Sequence, residues 1–522
     1  MTSAVRGTAP FIQVVDAATA VAIDADAIAS GIPSRALMQR AGAAAASEIS
    51  RRCADRLHDG VLVLTGAGNN GGDGWVIARA LHAVGVAVRV IECVAARTPD
   101  ALAERALALQ AGVPTSREIE SIHGHGERIV VDALLGTGLR ADRPLEGAMT
   151  TAIDALRRRA EGATLVAVDV PSGLDASTGR DAGCVPATLT LTFGSVKRGQ
   201  LVARDRCGEI VVLDIGLLGS PHGAARLCTP AWFRAMLPAI PFDAHKGTRG
   251  RVVIIGGAEG MAGAVVLAAR AALRSGAGLV KCIVAPGSLA AVQQAEPAAL
   301  AAPWPTDDES FRLALADWAD VVLVGPGLGR ESARTLVERV LQAYHGPVVL
   351  DADALNAFEG DADALRPFLQ HRQALLTPHP AEFARLAGVS VQQVLDERFT
   401  APVELAARSG ATVLLKGTPT VIADSSGTSL VSAEGTPILA TGGAGDVLGG
   451  LCATLLAHGE SALTAGALGA FAHGRAASTV SERQVRGYTL DDVLAVLPEI
   501  WSQRVPQQLS PVLAELPTVG EP

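Results

Sequence analysis

The sequence predicts an α/β chain of two domains, each built on a mostly parallel sheet. Three observations predict it. Short β-branched runs alternate with Ala-rich helical stretches, the pattern of repeated βαβ units. The alternation lapses near residues 218–245 and restarts with Val252–Ile255. The chain has 522 residues, 49% of them hydrophobic and 19% charged, enough for more than one core at about 150 residues per domain. Aromatics are only 3%, so the cores must be built from Ala, Val, Leu and Ile.

The elements follow in order. Val15–Ala29 and Ser34–Arg51 read as helices separated by the breaker Gly31-Ile32-Pro33. Buried strands are expected at Val61–Thr65, Val86–Ile91, Ile129–Ala133, Leu165–Val170 and Ile210–Leu213. After the lapse, Trp232–Leu237 reads as helix. Strands are then expected at Val252–Ile255, Val280–Ala285, Val321–Gly325, Val348–Asp351 and Val413–Lys416. Thr420–Ala423 and Ser429–Val431 look like a hairpin pair. The two domains are expected to occupy residues 1–225 and 226–522. The Pro- and Gln-containing tail after Arg504 is expected to fray.

A net charge of −9 and a pI of about 5.7 speak against nucleic acid, which needs a basic stripe. A small anionic ligand remains open, because glycine loops bind phosphate on acidic proteins. Seven cysteines contain no CxxC pair, which reads as reduced thiols in a cytoplasmic protein. The N-terminus has no signal-peptide pattern. Gly263–Ala285 carries Arg270, Arg274 and Lys281, too many charges for a membrane span. Only four of the 44 basic residues are lysines: Lys197, Lys246, Lys281 and Lys416. In a chain that uses arginine for nearly all surface charge, a retained lysine marks either a need for a compact point charge or chance survival.

In the first half, Val61–Thr65 runs into Gly66-Ala67-Gly68-Asn69-Asn70-Gly71-Gly72-Asp73-Gly74. Gly66, Gly68 and Gly71 satisfy G-x-G-x-x-G, and Glu92 lies about 20 residues on, the dinucleotide pattern of a dehydrogenase. Glycines let backbone N–H groups approach phosphate at a helix start. The Asn pair and Asp73 exceed what a plain pyrophosphate turn requires. Two further strand ends supply acids: Asp132 opens Asp132-Ala133-Leu134-Leu135-Gly136-Thr137-Gly138, and Asp169 opens Asp169-Val170-Pro171-Ser172-Gly173. Ligands of open parallel sheets lie beyond the strand carboxyl ends. Oxygens of Asn70, Asp132 and Ser172 suit a hard cation, and Asp169 suits proton transfer.

In order, NNGGDG, DALLGTG and DVPSG resemble the NAD(P)H-hydrate epimerase family over about residues 10–220. The resemblance implies a Rossmann-like three-layer domain. It implies hydrate binding by Asn69, Asn70, Gly71, Gly72, Asp73, Gly136, Thr137, Gly138, Leu139, Arg140, Ala141, Asp142 and Asp169. It also implies K⁺ on Asn70, Asp132 and Ser172, and acid–base catalysis by Asp169. Lys197 is a supporting residue.

The second half carries Gly256–Ala264, Gly325-Pro326-Gly327-Leu328-Gly329 and Thr441-Gly442-Gly443-Ala444-Gly445-Asp446. Successive amides at a helix start make an anion hole for a transferring phosphoryl group, and Asp446 is placed to accept a hydroxyl proton. Asp351–Asn356 suits substrate or Mg²⁺. Thr377-Pro378-His379-Pro380-Ala381-Glu382 fixes a histidine and an acid in a loop. Lys416-Gly417-Thr418-Pro419-Thr420 puts a lysine at a strand end as a nucleotide-phosphate contact.

From His245-Lys246-Gly247 to about residue 500 this half resembles NAD(P)H-hydrate dehydratases of the ribokinase-like superfamily. That implies a ribokinase-like α/β domain, ADP with Mg²⁺ as co-substrate, and a hydroxyl expelled as phosphate with release of AMP. By the resemblance, Ala262, Gly327, His379 and Asp446 face the hydrate, while Lys416, Gly417, Thr418, Pro419, Thr420 and Gly445 face the nucleotide. Asp446 is the base. Ala381 stands where the family has glycine, Thr436 where it often has asparagine, and Ala444 where a polar or Met residue is usual. The implied partners are the hydrates NADHX and NADPHX and ADP, with no nucleic acid or membrane, in a cytoplasmic homo-oligomer. A small-metabolite kinase, a cofactor-sensing module and a dehydrogenase remain as alternatives.

Overall fold

The computed structural model describes residues 11–519 except 123–125, 140–144, 218–223, 332, 484–485 and 503–507. The chain divides into two compact units, one of residues 10–224 with 506–521 and one centred on 225–505.

The first unit contains β1 (Gln13–Val15), β2 (Val61–Thr65), β3 (Val88–Glu92), β4 (Thr115–Ser116), β5 (Ile129–Ala133), β6 (Thr164–Val168), β7 (Leu189–Phe193), β8 (Ser195–Lys197) and β9 (Glu209–Leu213). Its main sheet runs β9-β7-β6-β5-β2-β3-β4, parallel throughout. β1 and β8 form a separate parallel pair. The order reverses between β2 and β5, so the crevice beyond their carboxyl ends is where a ligand is expected. Period-two alternation makes the sheet two-faced. Val61 and Val63 enter one core with the helix Ser34–Arg52, while Leu62 and Leu64 enter another with Ala148–Ala160.

The second unit repeats the plan with β10 (Ala225–Leu227), β11 (Arg251–Ile255), β12 (Leu279–Val284), β13 (Leu300–Pro303), β14 (Val321–Val324), β15 (Val348–Leu350), β16 (Ala374–Leu376), β17 (Thr412–Leu415), β18 (Thr420–Ala423) and β19 (Ser429–Ser432). Its order is β13-β12-β11-β14-β15-β16-β17-β18-β19-β10. It is parallel from β13 to β17, then antiparallel through β18 and β19. The reversal falls between β11 and β14. Val252 and Ile254 face one core, Val253 and Ile255 the other. Helices Ala262–Arg274 and Ala444–Ala457 pack closely because a Cβ on Gly450 would lie 2.2 Å from the Ala268 carbonyl oxygen. That contact ties together two helices whose first turns border the candidate site.

The tail differs from expectation. Val512–Leu516 forms β20, antiparallel to β9, and completes the first unit's sheet. Its Val512, Ala514 and Leu516 are buried, and Arg52 pairs with Glu515. The alternation V-L-A-E-L is a strand signal that the nearby Pro and Gln residues obscured. Among the described residues no helix is long and apolar enough to cross a membrane.

Candidate active sites

In the first unit the helix begins at Asn69, so the glycine segment after β2 is shorter than its sequence suggests. The later glycines serve close packing. A Cβ on Gly71 would lie 2.1 Å from the Gly66 carbonyl oxygen, and one on Gly74 would lie 2.6 Å from Ala133 Cβ. Gly66 itself lies under the Leu134 carbonyl, where a Cβ would approach to 1.9 Å. This locks the loop after β2 onto the loop after β5 and places Asn70 beside Gly136, whose Cβ would be 3.3 Å from the Asn70 amide carbon.

Beneath lies a buried oxygen cluster. Ser172 donates from Oγ to Asp132 Oδ1 (2.6 Å) and from its backbone N–H to Oδ2 (2.8 Å). The Leu135 N–H donates to Ser172 Oγ (2.9 Å). Burial pushes the Asp132 carboxyl up, against the hydrogen bonds from Ser172. Both polar atoms of the Asn70 amide are buried without a partner. An orphaned amide, a hydroxyl and a buried carboxylate supply oxygen donors of the kind a hard cation takes. Among the described residues no three His, Cys, Asp or Glu side chains cluster to hold a metal ion.

Asp169 follows β6 with φ +64°, a left-handed conformation costly for any residue but glycine. Its backbone is fixed by its N–H to Leu191 O (2.8 Å) and by Gln200 Nε2 donating to its carbonyl (2.7 Å). Its carboxylate is ion-paired with Lys197 Nζ and accepts from Thr192 Oγ1 (3.1 Å). Lys197 is buried and also donates to Thr192 (2.9 Å). Asp73 faces the same charges. Burial, then repulsion from Asp169 and Asp24, pushes its carboxyl well above the usual range despite Lys197. The site therefore joins an ion-paired carboxylate to a second acid whose protonated form burial favours. Asp24, on the rim, was not singled out from the sequence. It stands mid-helix without a motif around it. Thr137 and Gly138 form the turn after Gly136, Leu139 is buried behind it, and Arg140, Ala141 and Asp142 lie outside the described residues.

Glu92, the acid of the dehydrogenase pattern, is not available to a ribose. It accepts from Arg105 Nε (2.7 Å), Arg105 Nη2 (3.0 Å), Arg117 Nε (2.7 Å) and the Ala96 N–H (3.2 Å).

In the second unit the switch-point geometry recurs. A Cβ on Gly256 would lie 2.0 Å from the Pro326 carbonyl oxygen, and Gly327, at φ +56°, presses on the Met261 carbonyl beside Ala262. Asp351 is buried at the end of β15 and accepts from Lys416 Nζ and Thr377 Oγ1, both at 2.8 Å. The Lys416 N–H bonds the Pro378 carbonyl (2.9 Å), joining the Thr377–Pro380 loop to the lysine. A Cβ on Gly445 would be 3.1 Å from Lys416 Nζ. Burial would push Lys416 down, but Asp351 and Glu382 outweigh it and hold the ammonium charged. Asp446 lies in the first turn of Ala444–Ala457. Burial, then repulsion from Asp351, Glu382 and Asp353, pushes its carboxyl up to about 7 against the pull of Lys416.

His379 caps its own helix. Its Nδ1 accepts from the Ala381 N–H (3.1 Å) and the Glu382 N–H (3.3 Å), while Glu382 accepts from the His379 N–H (2.9 Å). Burial, with Lys416 and Arg385 against Glu382, holds the imidazole below its ordinary range. Ala381 falls in the helix Pro380–Ala387, where alanine is favourable. Thr420 Oγ1 donates to the Gly417 carbonyl (2.7 Å) and closes the loop on itself.

Comparison with known proteins agrees with both halves. Residues 34–199 match the family model described as YjeF-related protein N-terminus, and residues 252–499 match NAD(P)H-hydrate dehydratase. The bifunctional NAD(P)H-hydrate repair enzyme Nnr of Moorella thermoacetica is 37% identical over 499 residues, spanning 90% of this chain and 92% of its own. That of Escherichia coli K12 is 37% identical over 481 residues and 90% of each chain. The chain belongs to the bifunctional NAD(P)H-hydrate repair enzyme family. It is an enzyme with an isomerase half and a lyase half. The crystal structure of the ADP/ATP-dependent NAD(P)H-hydrate dehydratase of Bacillus subtilis covers 52% of this chain and 96% of its own, at 29% identity and a TM-score of 0.46.

The scarce lysines divide accordingly. Lys197 and Lys416 are ion-paired with the strand-end acids Asp169 and Asp351. Lys281 lies over the Trp318 ring at 4.0 Å and Lys246 is exposed. All seven cysteines are buried and free.

Proposed function

We propose that the first unit, residues 10–224 with 506–521, epimerises the R and S hydrates of NADH and NADPH, and that the second unit, residues 225–505, dehydrates the S form with ADP. Similarity to bifunctional repair enzymes through both halves carries this reading. The hydrated ring carbon bears a hydroxyl beside the ring nitrogen, so losing and regaining that oxygen inverts it. Asp73 holds a proton for the departing hydroxyl, and Asp169, ion-paired with Lys197, takes one from the returning water. Asn69 to Asp73 and Gly136 to Asp142 bind the hydrate. K⁺ held by Asn70, Asp132 and Ser172 would supply positive charge that fixes both loops.

In the second unit Ala262, Gly327, His379 and Asp446 face the hydrate, and Lys416 to Thr420 with Gly445 face the nucleotide. Asp446 accepts the hydroxyl proton as that oxygen takes the terminal phosphoryl group of ADP and AMP leaves. The C–O bond then breaks with departure of phosphate, and loss of a proton from the adjacent carbon restores the ring double bond. Mg²⁺ on the nucleotide phosphates would neutralise their charge, and the carboxylates of Asp351 and Asp353 are hard oxygens that suit it. The resemblance also supports a cytoplasmic homo-oligomer, and seven free thiols accord with a reducing compartment.

The test is recovery of reduced-nicotinamide absorbance from mixed hydrate epimers with ADP and Mg²⁺. Complete, fast recovery is expected. Asp169→Ala should leave only a slow second phase. No recovery with ADP or ATP overturns the dehydratase assignment, and a stable phosphorylated product would favour a kinase.

A further inference from the structure

The nucleotide loop poses a charge problem. Lys416 opens it, but its ammonium is committed to Asp351 at 2.8 Å and stands 3.7 Å from Glu382. A diphosphate docking there meets a lysine already neutralised by carboxylates.

A second cation lies on the same loop. Arg398 sits in the turn between helices Val391–Asp396 and Ala401–Ser409. A Cβ on Gly417 would lie 2.7 Å from Arg398 Nη1, so the guanidinium rests on the bare backbone of that glycine. Nη1 also donates to the Pro419 carbonyl (3.2 Å). Arg398 is half-buried, and among the described residues it has no carboxylate partner. Burial alone acts on it, pushing its pKa down. A guanidinium offers five N–H donors in a planar fork that matches phosphate oxygens two at a time. One bond to a carbonyl leaves most of them without a partner, and a cation withdrawn from water without an anion is costly.

We propose that Arg398 is the phosphate-binding cation of the nucleotide loop, holding the diphosphate of ADP while Lys416 serves mainly to order Asp351 and Glu382. The inference rests on the dehydratase reading of this unit. Pro419 positions the guanidinium, Gly417 gives it room, and the remaining N–H groups take the phosphate.

The test is calorimetric titration of the full-length protein with Mg·ADP and, separately, adenosine. Arg398→Met is expected to weaken ADP at least tenfold and to leave adenosine within twofold of the wild type. Arg398→Lys, which keeps the charge but loses the fork, should fall between. Retained adenosine binding, with a thermal melt of the same samples, reports that the second unit is folded. If Arg398→Met does not fold, Arg398→Lys decides. ADP affinity unchanged in the variants, or ADP and adenosine weakened equally, overturns the proposal, the second outcome marking a loop anchor. If Lys416→Met abolishes ADP binding and Arg398→Met does not, only this inference fails. A wild-type chain that binds no ADP or ATP overturns the dehydratase reading as well.

Discussion

The two units solve the same construction problem and then diverge at one residue. Each reverses strand order beside its first long strand, and each presses the first glycine after that strand under a carbonyl of the neighbouring loop (Gly66 under Leu134, Gly256 under Pro326). Each contains a lysine at the site joined to an aspartate. The non-glycine residues with positive φ among those described are Asp169 and Ala352, one at each site. In the first unit the lysine touches the carboxylate proposed for chemistry. In the second it touches Asp351, and Asp446 is left to burial and to its acidic neighbours. The lysine's choice of partner therefore differs on one scaffold: the candidate base is ion-paired in the first unit and stands among other carboxylates in the second.

That difference gives the largest expected effect. A base pushed up to about 7 is half protonated there, and below it the dehydratase rate should fall about tenfold per pH unit. Asp446→Asn should lower dehydratase turnover by roughly 10³-fold and leave epimerisation unchanged. Stability should move the other way. Because the folded-state value lies above the ordinary one, the folded chain binds the extra proton, and this group's contribution declines as pH rises from about 4 to about 7. The Asn variant should therefore melt higher than the wild type at pH 8. Turnover above a tenth of the wild-type rate, or a flat pH profile from 5 to 8, would break the comparison.

The second effect sharpens it from the other side. Lys197→Met removes the ammonium that pairs with Asp169 and offsets its repulsion of Asp73. Epimerase turnover should drop about 100-fold while hydrate dehydration from the pure S form continues at the wild-type rate. Rescue by Lys197→Arg is not expected, since a fork cannot fill the same buried pocket. An epimerase rate within threefold of wild type in Lys197→Met would show that Asp169 does not depend on the lysine.

Much of this was legible in the sequence. Val61–Thr65, Ile129–Ala133 and Thr420–Ala423 are strands at the expected bounds, because continuous β-branched runs next to glycines have few other solutions. The acids at the strand ends follow from the fold. Leu189–Phe193 was missed because its threonines imitate a solvent face. Both are buried and bonded, Thr190 to the Cys207 carbonyl (2.7 Å) and Thr192 to Asp169. That strand holds the support for the strained aspartate, so the miss hid how Asp169 is positioned. Asp24 and Arg398 carry no local pattern at all. Their significance arises only from what the tertiary structure sets beside them.

The smallest effect concerns which half the tail serves. β20 follows the second half in sequence but hydrogen-bonds to β9 of the first unit. Arg204 reaches the Pro517 carbonyl, and Arg52 pairs with Glu515. Removing residues 508–522 would expose the β9 edge and the apolar surface under Val512 and Leu516, about 3–6 kcal/mol at 1.5–3 kcal/mol for each large buried side chain. For a unit of this size that corresponds to a melting shift of roughly 10 °C. Hydrogen exchange should localise the loosened amides to β9, β7 and the helix Ser34–Arg52, with β11 to β17 unchanged. Exchange that rose instead in the second unit would mean that the tail stabilises the half it follows in sequence, and the symmetry between the two sheets would have to be redrawn without β20.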